Sequence, residues 1–183
     1  MKRFGKLLRK EKTSLLIIDI QKRILPVILN HQTVVENTLK LIKGFKILSL
    51  PVYYTEQYPK GLGNTVEEIQ NELNGNKLFE KMSFSCSGAD NLFEKLKSTN
   101  QIVITGIETH VCVQQTVLDL LENNFQVNIA ADAVSSRKET DHRIALERMK
   151  SNGAEITTTE SILFELLEVS GTDSFKQVSK LVK

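Results

Sequence analysis

The chain has 183 residues, of which 40% are hydrophobic, and its formal net charge is +2. This length is typical of one compact domain with its own core, so we predict a single domain over residues 1–183. The nearly even charge argues against electrostatic capture of nucleic acid, and no apolar run approaches the ~20 residues of a membrane-spanning helix. Neither a nucleic acid nor a membrane is therefore an expected partner.

The cysteine content indicates the compartment. Cys86 and Cys112 are too few for a disulfide framework, and the chain shows no secretory signal pattern. These features favour a reducing, cytoplasmic environment. Residues 1–12 are rich in lysine and arginine, as organelle-targeting segments are, but they lack the serines of such segments, so a solvated basic surface is the favoured interpretation.

Short runs of β-branched and apolar residues alternate with longer helical patterns. The six predicted strands cover residues 14–20, 51–55, 78–80, 101–107, 126–131 and 154–158. Several of them, such as the first, are apolar at consecutive positions, which indicates strands buried on both faces. We therefore predict an α/β fold: one doubly wound, mostly parallel sheet of about six strands with helices on both faces.

Polar patterns predict where some of the helices begin. Three S/T-x-x-E pairs match the capping box, namely Thr33 with Glu36, Thr65 with Glu68, and Ser136 with Glu139. Apolar residues at helical spacing follow the first pair and recur over residues 111–122. Residues 56–64 form the longest predicted irregular stretch, which we expect to shape a ligand pocket.

Three reactive side chains follow predicted strands, at the edge where open α/β sheets bind ligands. Asp19 ends the first strand, Lys81 follows the third, and Cys112 follows the fourth after a short connector. A cysteine at a helix N-terminus tends to ionise, a nearby lysine strengthens this, and an aspartate can accept the thiol proton. Taken singly, each residue also fits a plainer role: Cys112 as a buried apolar side chain, Asp19 as a turn cap, Lys81 as a solvated amine.

Three sequence blocks resemble the motifs of the isochorismatase-like cysteine hydrolases. They are LIIDIQ at 16–21, FEKMSFS at 79–85 and GIETHVCVQQT at 106–116. Similarity continues through residues 131–137 and 157–161, so it extends over nearly the whole chain. The segment TEQYPKGLG at 55–63 resembles the subgroup known as isochorismatase domain-containing proteins, whose substrates are poorly defined.

The resemblance implies a catalytic triad of Asp19, Lys81 and Cys112. In this triad Cys112 would attack a carbonyl carbon and form a thioester, Asp19 would move the proton, and Lys81 would orient Asp19 and stabilise the thiolate. The resemblance also implies a cis peptide bond between Ile107 and Glu108. The backbone N–H groups of Glu108 and Cys112 would then form an oxyanion hole.

Polar residues that follow the first, second and fourth predicted strands are candidates for contact with a small-molecule substrate. The polar side chains expected to line the pocket are Gln21, Glu56, Gln57, Tyr58 and Glu108. Metal-dependent relatives in this superfamily carry an Asp-x-His pair and a further histidine, whereas the corresponding residues here are TEQ at 55–57. We therefore expect neither a metal nor a cofactor.

These features predict a hydrolase that cleaves a small amide or related acyl compound with water, and the resemblance implies a homo-oligomer. Two alternatives stay open. One is a catalytically silent binding or scaffold protein on the same fold. The other is an isochorismate-type vinyl ether hydrolase, which ranks last because the carrier-protein enzymes with that activity lack the cysteine.

Overall fold

The computed structural model describes residues 3–183 and contains one six-stranded sheet. Its strands are β1 (Thr13–Ile18), β2 (Val52–Gln57), β3 (Lys77–Lys81), β4 (Gln101–Ile107), β5 (Gln126–Ser135) and β6 (Glu155–Thr157). They pair in the order β3-β2-β1-β4-β5-β6, and every neighbouring pair is parallel. The predicted doubly wound parallel sheet is confirmed.

Helices cover both faces of this sheet. They are α1 (His31–Ile47), α2 (Pro59–Leu62), α3 (Glu67–Glu72), α4 (Leu92–Leu96), α5 (Gln114–Glu122), α6 (Glu139–Ser151), α7 (Thr159–Leu167) and α8 (Asp173–Leu181). Within residues 3–183 no helix has the length and apolar character needed to cross a membrane.

The apolar residues of β1 explain why two cores form. Leu15 and Ile17 pack into the core that contains residues of α1, α3, α7 and α8, whereas Leu16 and Ile18 pack into the core beneath α4, α5 and α6. Successive side chains of a strand point to opposite faces, so a strand between two helix layers must be apolar at every position. The consecutive apolar run in the sequence reflects this double burial.

The basic N-terminal segment joins the body of the protein. Residues 1–2, which belong to that segment, lie outside the described residues. Leu8 is fully buried, and its backbone N–H donates to Glu165 Oε2 at 3.0 Å. The chain from Leu8 onward is therefore part of the packed structure.

The predicted helix starts are wrong in detail. α1, α3 and α6 begin at His31, Glu67 and Glu139, and none has a hydrogen bond from its N-cap side chain. The hydroxyl and N–H of Thr65 donate instead to Glu56 Oε1, at 2.8 and 2.6 Å, because both residues are buried and that carboxylate needs partners. The stretch at 56–64 is also less irregular than predicted, since β2 extends to Gln57 and α2 follows.

Gly106 allows β4 to lie against β1 immediately before the site described below. It pairs with Ile18, has a φ of 129°, and a Cβ added to it would lie 2.1 Å from the Ile18 carbonyl oxygen. Gly153 has a similar φ of 107°, but a Cβ added there would meet nothing within 4 Å. The two glycines thus share a backbone conformation and differ in the space around them.

We expect Gly106→Ala to be much more destabilising than Gly153→Ala. The Gly153 variant adds only unfavourable backbone conformation, at about 1–3 kcal/mol. The Gly106 variant adds a collision with backbone atoms that cannot rotate away, costing roughly another 1–3 kcal/mol or more. Urea unfolding of both purified variants measures the difference; equal losses of stability would contradict this account.

Candidate active site

The carboxyl ends of three strands bring the reactive side chains together. Asp19 directly follows β1, with a left-handed φ of 53° that turns the chain out of the sheet, and Lys81 is the last residue of β3. Cys112 lies in a single turn of π-helix, Thr109–Val113, between β4 and α5. Since β1 neighbours β4 and is separated from β3 only by β2, the fold collects these three residues at one edge.

A buried ion pair holds Asp19 in place. Lys81 Nζ donates to Asp19 Oδ2 at 2.6 Å and to the carbonyl oxygens of Ser83 and Phe84, at 3.2 and 3.0 Å. Thr55 Oγ1 donates to the other carboxylate oxygen of Asp19 at 2.6 Å. The side chains of Lys81 and Asp19 are only 0% and 3% exposed, so each charge depends on the other.

The charge of Lys81 is secured by this partner. Burial by itself would lower the pKa of the Lys81 ammonium, but the negative charge of Asp19, the nearby Cys86 and Cys112, and the hydrogen bond to Asp19 together outweigh burial, and the pKa is raised. Lys81 therefore stays protonated at neutral pH and holds a positive charge beneath the site.

The surroundings of Cys112 favour the protonated form of its thiol. Its Sγ donates to Gln57 Oε1 at 3.0 Å. Burial raises the pKa of Cys112, the negative charge of Asp19 raises it further, and the opposite effect of Lys81 does not compensate. Desolvation of the sulfur thus opposes the ionisation that the helix start and the lysine would favour.

Cys86 lies behind the site. It is fully buried, its Sγ is 3.9 Å from Thr55 Oγ1, and its backbone N–H donates to Thr116 Oγ1 at 2.9 Å. Burial, followed by the charge of Asp19, raises the pKa of its thiol to about 12. Cys86 is thus an inert packing residue.

A cavity of about 280 Å³ opens in front of Asp19 and Cys112. Its wall is formed by Asp19, Ile24, Gln57, Tyr58, Leu62, Phe84, Ile107, Glu108, Val111 and Cys112. The expected contributions of Gln57, Tyr58 and Glu108 agree with this wall. Its apolar members went unnoticed in the sequence because they come from separate loops and follow no shared spacing.

Gln21 and Glu56 do not line the cavity, contrary to expectation. The Gln21 side-chain amide accepts from the Gln57 N–H at 2.8 Å and donates to the carbonyl oxygens of Gln57 and Gly63, at 3.0 and 2.6 Å. Glu56 faces Thr65 instead, because neighbouring side chains on β2 point in opposite directions and Gln57 faces the cavity. Gln21 thus fixes Gln57 at the end of β2, and Glu56 fixes Thr65.

The turn after β4 supplies backbone donors beside the sulfur. The peptide bond between Ile107 and Glu108 is cis, at the position that the resemblance implied. The Glu108 carboxylate accepts from the N–H and Nε of Arg137, at 3.1 and 3.0 Å. Within residues 3–183 the backbone N–H of Glu108 donates to no other backbone group.

No metal centre is formed by the side chains of this region. Within residues 3–183, His, Cys, Asp and Glu nowhere gather in a group of three or more suited to holding a metal ion. The polar groups of the cavity wall are the carboxylates of Asp19 and Glu108, the thiol of Cys112, the amide of Gln57 and the hydroxyl of Tyr58, a set that includes an acid–base group and a nucleophile.

Comparison with known proteins identifies similar chains. A family model described as Isochorismatase domain matches residues 13–161. Isochorismatase family protein 1A of Dictyostelium discoideum is 46% identical, over 99% of this chain and 90% of its own. A solved structure described as MAR1 ribonuclease from Caenorhabditis elegans superposes with a TM-score of 0.91 at 36% identity, over 96% and 91% of the chains. The Escherichia coli YcaC gene product, described as an octameric hydrolase of unknown specificity, shares the fold with a TM-score of 0.89 at 22% identity, over 99% and 92%.

Proposed function

This chain belongs to the isochorismatase family, and we propose that it is a hydrolase that cleaves a small amide or related acyl compound through a thioester. The observation that carries the proposal is that the Cys112 thiol and the Asp19 carboxylate line one cavity, while Lys81 holds Asp19 from behind at 2.6 Å. A nucleophile beside an oriented base is the arrangement that covalent catalysis requires. The whole of residues 1–183 would serve as one hydrolase domain.

In the first half of the reaction, the thiol proton passes to Asp19 and the sulfur of Cys112 bonds to the substrate carbonyl carbon. The carbonyl π electrons move to the oxygen, which becomes an oxyanion. When the C=O bond re-forms, the C–N bond breaks and Asp19 gives its proton to the departing nitrogen. A thioester and a free amine or ammonia result.

In the second half, water replaces the amine. Asp19 accepts a proton from water as the water oxygen bonds to the thioester carbon, and the C–S bond then breaks. Asp19 returns the proton to the sulfur, and the carboxylic acid leaves. Lys81 acts throughout as a positioning residue, because its ammonium, 2.6 Å from Asp19 Oδ2, holds that carboxylate in one orientation through both steps.

The backbone N–H groups of Glu108 and Cys112 are the proposed oxyanion hole. Both residues line the cavity, and the N–H of Glu108 donates to no other backbone group in residues 3–183. Two preorganised donors of this kind stabilise the negative oxygen in the transition state; losing one such donor typically costs ~10²- to 10³-fold in rate. No cofactor takes part in this scheme.

The pH dependence of Cys112 alkylation tests the resting state of the nucleophile. The thiolate is the reactive form, and a pKa above the ordinary ~8.5 means that its fraction rises about tenfold per pH unit across the neutral range. We expect the rate with iodoacetamide to increase continuously from about pH 6 to about pH 9. Peptide mass spectrometry reads out Cys112, with the buried Cys86 as the unreactive comparison; a rate that is flat above about pH 7 would contradict a raised pKa.

A substrate screen separates the proposal from its alternatives. Ammonia release from a panel of primary amides that is lost in Cys112→Ala supports the amidohydrolase. Turnover of isochorismate without any amide would assign the protein to vinyl ether hydrolysis. If active esters leave no acyl group on Cys112 and both screens are silent, the protein is a binding or scaffold protein.

RNA cleavage is tested in the same series, since the description of the Caenorhabditis elegans neighbour names a ribonuclease. The chain's nearly balanced charge and the apolar wall of the small cavity disfavour a polyanionic substrate. Single-stranded RNA that is degraded by the native protein but not by Cys112→Ala would replace our proposal.

We further propose a homo-oligomer that works in a reducing compartment. The octameric state described for the YcaC gene product supports the first part. The free thiol of Cys112 supports the second, because the proposed chemistry requires an unoxidised sulfur. Size-exclusion chromatography with light scattering measures the assembly.

A further inference from the structure

The carboxylates in the cavity wall are already paired with basic residues of the protein. Asp19 is bound by Lys81 at 2.6 Å, and Glu108 is bound by the Nε and N–H of Arg137, at 3.0 and 3.1 Å. Neither Lys81 nor Arg137 belongs to the wall itself. A positively charged substrate would therefore find no carboxylate in need of a partner.

The wall also offers nothing to a negatively charged substrate. Among its members there is no lysine, arginine or histidine. A carboxylate brought into this cavity would lose its hydration without gaining an ion pair, which disfavours its binding. The cavity wall thus disfavours both positively and negatively charged substrates.

Apolar side chains make up the rest of the cavity. Ile24, Leu62, Ile107 and Val111 supply aliphatic surface, and Phe84 adds a half-exposed ring at 52%. Tyr58, also half-exposed at 48%, adds a second ring to the wall. At about 280 Å³, the volume lies at the lower limit of the ~300 to 1,000 Å³ usual for ligand pockets.

Gln57 provides an uncharged polar contact beside the reacting atoms. Its Oε1 accepts the Cys112 thiol proton at rest, and its main chain is clamped by Gln21. When that proton passes to Asp19, Oε1 becomes free to accept a hydrogen bond from another N–H group. An amide NH₂ on a substrate satisfies this acceptor without bringing a charge.

We infer that the preferred substrate is an uncharged primary amide with an apolar body about the size of one ring, and that the cavity selects against carboxylate-bearing compounds. The inference rests on the proposed function, because it assumes that Cys112 is the nucleophile. It adds the substrate class: neutral carboxamides, with Gln57 as the specificity residue for the amide and the apolar wall as the selector for the body.

Two reagents that differ only in charge test this inference without knowledge of the substrate. Iodoacetamide is an uncharged primary amide, and iodoacetate is its anionic counterpart; both alkylate thiolates. The rate of each with Cys112 in the native protein, divided by its rate with N-acetylcysteine at the same pH, removes the intrinsic difference between them. We expect the normalised ratio to favour iodoacetamide by at least about tenfold.

Charge placed in the wall should reverse this preference. In Ile24→Lys we expect the normalised iodoacetate rate to rise about tenfold relative to iodoacetamide, because an ammonium now faces the cavity. Ile24→Met is the matched neutral control and should keep the native ratio. Leu62→Lys with Leu62→Met repeats the test on a different loop, which covers the case that the first variant fails to fold.

The outcomes separate this inference from the function on which it rests. Equal normalised rates in the native protein, or lysine variants that leave the ratio unchanged, would overturn the neutral-substrate inference while leaving Cys112 as a nucleophile. A folded protein in which Cys112 reacts with neither reagent would overturn the hydrolase proposal itself.

Discussion

The Cys112→Ala variant is expected to lose all measurable hydrolysis of any amide that the native protein cleaves. The sulfur forms the covalent intermediate, and the remaining groups of the cavity can only bind and polarise the substrate. Removing the nucleophile of a comparable triad lowers kcat by about 10⁶-fold. The measurement is ammonia release at saturating substrate, together with intact-protein mass spectrometry of the acyl adduct left by an active ester.

Cys86→Ala is the matched control for this experiment. Cys86 is fully buried near the same carboxylate, but it lies outside the cavity wall and has a thiol pKa of about 12. Its replacement removes one small buried group, costs about 1 kcal/mol of stability, and should leave both turnover and adduct formation in place. If Cys112→Ala retains activity, or the adduct maps to Cys86, the assignment of the nucleophile is wrong.

The fold could be predicted from the sequence because burial on two faces leaves a direct signature. The consecutive apolar residues of β1 and β4 indicate strands buried on both faces, as in a parallel sheet covered by helices, and the structure shows two cores that share these strands. The parallel sheet also predicts that Asp19 and Cys112, which follow two of its strands, lie at the same edge. Strand ends that alternate with helices in a parallel sheet meet at a common edge.

The direction in which individual side chains point could not be predicted from the sequence. Glu56 and Gln57 are adjacent, yet one binds Thr65 inside the loop and the other faces the cavity, because the register of β2 decides between them. The capping box predicted at Thr65 did not form because the buried carboxylate of Glu56 binds that residue instead. The protonation of Cys112 depends on desolvation, a property of the packed structure that local sequence does not encode.

Asp19→Asn is expected to separate thiol ionisation from catalysis. Asparagine cannot carry the proton from sulfur to the leaving nitrogen, so turnover should fall by roughly 10²- to 10⁴-fold. The thiol itself should ionise more readily, because the negative charge that raises the pKa of Cys112 is gone while Lys81, which lowers it, remains. We therefore expect faster alkylation at neutral pH in a variant with little or no activity.

Loss of folding is the competing explanation for the low activity expected of Asp19→Asn. A second substitution, at its partner Lys81, tests this explanation. Asp19→Asn alone leaves a buried, unpaired ammonium at a cost of about 3–5 kcal/mol, so its Tm should fall. In Asp19→Asn with Lys81→Met both charges are absent, and most of the lost stability should return while turnover does not. Alkylation of this double variant should be slower than in Asp19→Asn, since no charge then offsets the burial of the sulfur. A double variant that regains activity together with stability would show that Asp19 supports the structure and takes no part in proton transfer.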